Sequence, residues 1–133
     1  MSSEQNNTHF SFIILSAAHN MVEKLFDASA HAELLALRSG GKSIRNWRLY
    51  NTTLYSTLEP CPMCLSACQA FRVKSIVYGA RDIRLGAVES YLRLLDKNVC
   101  SAHPFHPNIS VISGIQANEC SDLIRDFFRK RRI

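Results

Sequence analysis

Residues 52–64 read Thr-Thr-Leu-Tyr-Ser-Thr-Leu-Glu-Pro-Cys-Pro-Met-Cys. The first six are rich in β-branched and aromatic residues, which predicts a strand over 52–57. Pro62 suits the first turn of a helix, where no backbone donor is needed, and predicts a helix from there to about Arg72. A strand that runs straight into a helix is the opening of an α/β unit. It sets Cys61 at the helix start and Cys64 about one turn later, on the same side.

Upstream, Ser29 reads as the N-cap of a second helix with Ala30–Arg38 as its body and Gly40-Gly41 as its end. Leu34, Leu35 and Leu37 then face a core on the helical period. His31 falls in the first turn, so two helix N-termini converge, and their dipoles favour anionic groups between them. Phe10–Ser16 predicts a strand, 17–29 a connector, and Ser75–Gly79 a short buried strand. Residues 80–88 read as a loop, 90–95 as a short helical piece, and 97–107 as irregular, since His103-Pro104-Phe105-His106-Pro107 suits no regular element. Asn108–Ser113 predicts the last strand and Ala117–Arg132 a closing helix. Strands alternating with helices argue an α/β fold with a largely covered sheet. Residues 1–9 are polar and pattern-free and read as a disordered leader, which leaves 10–133 as one domain.

The chain has 133 residues, enough for one domain with a core and too few for two. Apolar residues make up 47% and charged residues 20%, which excludes a disordered or fibrous class. No apolar run reaches the length of a membrane span, and no basic stretch followed by an apolar one opens the chain, so the expected location is the cytoplasm, without a membrane partner. Five cysteines cannot form a complete disulfide set. The net charge of +5 is concentrated at the end, where Arg125, Arg129, Lys130, Arg131 and Arg132 crowd together. Such a block is either a solvated helix terminus or a patch for a polyanion.

His31, Cys61 and Cys64 supply three ligands of the kind zinc takes, and three protein ligands leave a tetrahedral ion one open position. An open position can hold and activate a water, which marks the site as catalytic. Glu33, two residues after the histidine, is placed to carry that water's protons. Taken singly, His31 is an ordinary half-buried helix histidine and Glu33 a solvent-facing carboxylate; their joint register with the two cysteines overturns those readings. Cys68 as a fourth ligand would close the site and leave Glu33 without a task, and a buried free thiol is its ordinary role, as for Cys100 and Cys120.

The pattern His31-Ala32-Glu33 with Pro60-Cys61-Pro62-Met63-Cys64 is similar to the signature of the zinc-dependent nucleobase deaminases. Ala30–Glu33, Asn46-Trp47-Arg48-Leu49, Thr53–Cys64, Val77-Tyr78-Gly79-Ala80-Arg81-Asp82 and Phe127–Arg132 together resemble the bacterial tRNA-specific adenosine deaminases, over roughly residues 12–132. The resemblance implies a three-layer α/β/α fold around a central mixed sheet. It implies one zinc per subunit on His31, Cys61 and Cys64, with Glu33 as the catalytic proton carrier. It also implies a homodimer that converts adenosine to inosine at the wobble position of a tRNA anticodon stem-loop. By position, Asn20, Ala32 and Asp82 would meet the substrate nucleotide, and Phe127, Phe128 and Arg129 the stem-loop. Without the resemblance, Asn20 is a turn residue, Asp82 a loop cap, and the two phenylalanines anchors of the closing helix.

Two departures stand out. Gly86-Ala87-Val88-Glu89-Ser90 carries Glu89 where the family has glycine, adding a negative charge beside the expected RNA-facing loop. The family's N-terminal amphipathic helix and Pro-x-Gly-Ala-Val first strand are not found in this chain, so part of the sheet under the substrate is expected to be missing unless Phe10–Ser16 replaces it. Two other readings follow: a deaminase of free bases or nucleotides (guanine, cytosine or deoxycytidylate), and an N-terminally short subunit that binds without catalysing.

Overall fold

A computed structural model describes residues 12–131, apart from the side chains of Phe128, Lys130 and Arg131. The elements are α1 (Val22–Leu25), α2 (Ala32–Ile44), β1 (Thr53–Leu58), α3 (Pro62–Ala70), β2 (Ser75–Ala80), β3 (Ser110–Ile112) and α4 (Ala117–Arg131). The β1–α3–β2 unit forms as the strand and proline signals require: β1 pairs with β2 in parallel, from Thr53 opposite Ser75 to Leu58 opposite Ala80. β3 extends the sheet in parallel on the far side of β2.

Alternation along β1 turns Leu54, Ser56 and Leu58 to one face. On that face Leu37 of α2 and Leu65 and Cys68 of α3 join Leu54, Ile76 and Tyr78 in the main core. The other face takes α4. A Cβ placed on Gly79 would lie 2.3 Å from the Cys120 sulfur, so α4 packs on bare strand backbone there. The result is the three-layer α/β/α arrangement.

Several expectations change. The described strands are all parallel, so the sheet has no antiparallel member among the described residues. Phe10 and the leader 1–9 lie outside the described residues, and 12–16 form no strand. Phe12, Ile13 and Ile14 are more than 80% exposed; among the described residues their β-forming side chains find neither a ladder partner nor a surface to cover, and composition alone does not make a strand. The connector 17–29 contains α1. α2 begins at Ala32 with His31, not Ser29, as N-cap, because the Ser29 hydroxyl bonds to Asp27. It also runs through Gly40-Gly41 and stops at Arg45 in the left-handed region (φ 54°). Gly40 is buried beside Leu49 and Ser16, with ordinary contact room for a Cβ. Leu35 is only half-buried, while Leu34 and Leu37 reach the core. α3 ends at Ala70, short of Arg72. Residues 90–95 are turns and irregular backbone, not helix.

Candidate active site

Two helix starts meet at one point. His31 is the N-cap of α2 and Cys61 the N-cap of α3, and neither side chain makes a capping hydrogen bond. Both are free to turn toward the same space, and Cys64 joins them from the first turn of α3. The His31 Nδ1 atom lies 3.5 Å from the Cys61 sulfur and 3.6 Å from the Cys64 sulfur. All three donor atoms fall within 4.8 Å of one another, the one such group among the described residues. Both cysteines are buried. The hydrogen bond from Cys64 holds the Cys61 thiol below the ordinary thiol range, while the same contact, burial and the Glu33 carboxylate push Cys64 up.

Glu33, in the first turn of α2, spans the site. One carboxylate oxygen accepts from the Ser56 hydroxyl at 2.9 Å, and the other lies 3.5 Å from the Cys64 sulfur. Cys68 takes no part: it is fully buried in the core, and burial pushes its thiol up to about 12.

A family model described as the cytidine and deoxycytidylate deaminase zinc-binding region matches residues 11–80. Among curated proteins, the chain is 42% identical over 129 residues to the chloroplastic tRNA(adenine(34)) deaminase of Arabidopsis thaliana, covering 89% of this chain and 10% of that protein. It is 45% identical over 106 residues to the tRNA-specific adenosine deaminase of Haemophilus influenzae, covering 80% of this chain and 58% of the relative. With the Bacillus subtilis tRNA-specific adenosine deaminase the identity is 38% over 119 residues, 90% of this chain and 71% of the relative. The chain belongs to the tRNA-specific adenosine deaminase family. A solved structure from work on A-to-I editing by tRNA:A34 deaminases superposes with a TM-score of 0.70 at 35% identity, covering 79% of this chain and 72% of that one. The chain thus spans 58% of the Haemophilus relative's length and a tenth of the chloroplast one's.

Zinc is the cofactor of this deaminase family, and the donor set fits it. Bond lengths of about 2.3 Å to sulfur and about 2.0 Å to nitrogen at tetrahedral angles require a sulfur–nitrogen separation of about 3.5 Å. The two observed separations, 3.5 and 3.6 Å, meet that requirement. No fourth protein donor closes the group among the described residues, so one coordination position stays open for chemistry.

The candidate site has a support that its sequence motif conceals. Glu59, 2% exposed, is the only buried charged side chain among the described residues. Its carboxylate accepts from the backbone N–H groups of Asp82, Val88, Glu89 and Ser90 and from the Ser90 hydroxyl. Burial works to raise its pKa, and these donors outweigh burial and lower it. Glu59 therefore nails the 82–90 loop to the segment that carries Cys61. A carboxylate wedged between Leu58 and Pro60, with no place on an exposed face, was the available sequence signal for it. Glu89 is held as well: the buried Tyr78 hydroxyl donates to it at 2.5 Å and Arg81 lies 3.8 Å away. Burial and that carboxylate push the Tyr78 phenol up. The extra negative charge at this position is thus engaged by Tyr78 and Arg81 at the surface of the fold.

The remaining candidates are not all brought to this centre: Phe127 and Arg129 sit on α4, which packs on the opposite face of the sheet from α2 and α3. Asn20 accepts from the Val22 N–H through its side-chain oxygen, and Met21 bonds to the Ala30 carbonyl, which brings the 20–21 segment beside the His31 turn. Ala32 is half-buried between the two site residues. Asp82 caps its own turn by accepting from Arg84 and Leu85. Phe127 is 47% exposed on α4 and Arg129 is exposed; the Phe128 side chain lies outside the described residues.

Proposed function

We propose that the chain catalyses hydrolytic deamination of adenosine to inosine at the wobble position of a tRNA anticodon. The observation that carries this is the Glu33 carboxylate, held by Ser56 at the mouth of a three-donor zinc site with one position left open. Bound zinc would make the attacking water acidic enough to react near neutral pH. Glu33 takes a proton from that water as it adds to C6 of the base and passes it to the ring nitrogen; it then takes the remaining proton of the new C6 hydroxyl and delivers it to the departing amine as the C6 carbonyl forms. Water enters, ammonia leaves, and Glu33 ends as it began. In this reading Asn20, Ala32 and Asp82 line the nucleotide, and Phe127, Phe128 and Arg129 meet the stem-loop. The relatives' names, the family pattern and the basic end of α4 support the RNA substrate over a free base or nucleotide.

With zinc bound, the wild-type chain should form inosine in an anticodon stem-loop, and Glu33→Ala should abolish turnover while retaining zinc. Turnover of a mononucleotide but not of the stem-loop would reverse the assignment.

We further read the protein as a cytoplasmic homodimer. Five cysteines with no disulfide among them suit a reducing compartment, and exposed apolar side chains such as Tyr55, Ile83 and Leu123 suit a covered face. No described helix is long and apolar enough to cross a membrane. Analytical ultracentrifugation should give twice the chain mass at micromolar concentration; a monomer there contradicts the dimer.

A further inference from the structure

Ser56 is out of pattern. It lies between Leu54 and Leu58 on the face of β1 that packs toward α2 and α3, where an apolar side chain would suit the core. Its hydroxyl has one proton to give and lies within reach of two acceptors: the Glu33 carboxylate oxygen at 2.9 Å and the Leu58 carbonyl at 2.7 Å. We propose that Ser56 is a positioning residue that holds the Glu33 carboxyl group in working geometry against the zinc site. The proposal rests on the deaminase reading above and deepens it.

The Ser56 hydroxyl donates to the inner Glu33 oxygen at 2.9 Å, and the Leu58 carbonyl at 2.7 Å is the other acceptor in its reach, so the hydroxyl ties the carboxylate to the backbone of β1. A valine here would leave the inner carboxyl oxygen without that bond and free Glu33 to rotate. A reacting group loose by a fraction of an ångström costs rate rather than substrate binding.

Threonine and valine have the same shape and both favour strands, so they isolate the hydroxyl. Ser56→Val should lower kcat on the stem-loop about tenfold, with KM within about twofold of wild type. Ser56→Thr should stay within about threefold of wild type in both. Zinc content should remain one per chain in both variants, and zinc affinity by chelator competition should be unchanged. Equal kcat in the Thr and Val variants, or a loss carried by KM or by zinc content, overturns the proposal. If the wild-type chain itself makes no inosine, the function assignment fails, and the crystal structures of the two zinc-loaded variants still decide the inference. The Glu33 carboxylate should keep its place in Ser56→Thr and leave it in Ser56→Val, and the same place in both would overturn it.

Discussion

Glu33 and Glu59 flank the same ligands and do opposite work, and the difference lies in their donors. Glu33 has one hydroxyl partner and a second oxygen beside a ligand sulfur, so part of it stays available to a reacting molecule. Glu59 receives four backbone N–H groups and a hydroxyl, and nothing of its charge is left over. Glu59→Ala strands those buried donors, and we expect a stability loss of roughly 3 kcal/mol or more, read by urea denaturation of the zinc-loaded protein. A loss below about 1 kcal/mol would mean that water replaces the carboxylate. Even the amide of Glu59→Gln should destabilise, since its NH2 would face donors. The ligands were legible because the Cys61/Cys64 spacing and Pro62 encode a helix start within a few positions. Ser56 and Glu59 were not, because their partners lie 23 to 31 positions away in sequence.

At the level of elements, glycine shows why local signals mislead. Gly40-Gly41 reads as a helix stop, yet α2 continues through both and ends at Arg45. A Cβ on Gly40 would meet nothing nearer than 3.4 Å, whereas one on Gly79 would lie 2.3 Å from the Cys120 sulfur and 2.9 Å from the Ile115 carbonyl oxygen. The two alanine substitutions should therefore have opposite signs. Gly40→Ala should stabilise by about 0.5–1 kcal/mol through helix propensity. Gly79→Ala should destabilise by roughly 1–3 kcal/mol by forcing α4 off β2. Thermal unfolding of the pair checks this, and a fall in both midpoints would contradict the α2 account. β1, α3 and β2 were readable because proline and the β-rich run are local signals. The 12–16 segment was misread because a strand depends on a neighbour, which its own residues do not specify.

For the whole molecule, the fold's service to the site is to aim two helix starts at one point from a single face of the sheet. α2 brings His31 and Glu33, the β1–α3 turn brings Cys61 and Cys64, and Glu59 ties the 82–90 loop to that turn. An α/β fold with a covered sheet was legible from alternating strands and helices, and the three layers from the family resemblance; the parallel run of all described strands was not, since pairing direction depends on connections rather than composition. The central claim is that this chain, with zinc, deaminates adenosine in an anticodon stem-loop through Glu33. The direct measurement is inosine formed per zinc-loaded chain on such a stem-loop, compared with Glu33→Gln under the same conditions. The account predicts inosine at the wobble position from the wild type, and a rate lower by at least about a hundredfold from a variant that binds zinc equally well. A folded, zinc-replete wild-type chain that makes no inosine, or a Glu33→Gln variant as active as wild type, would contradict it.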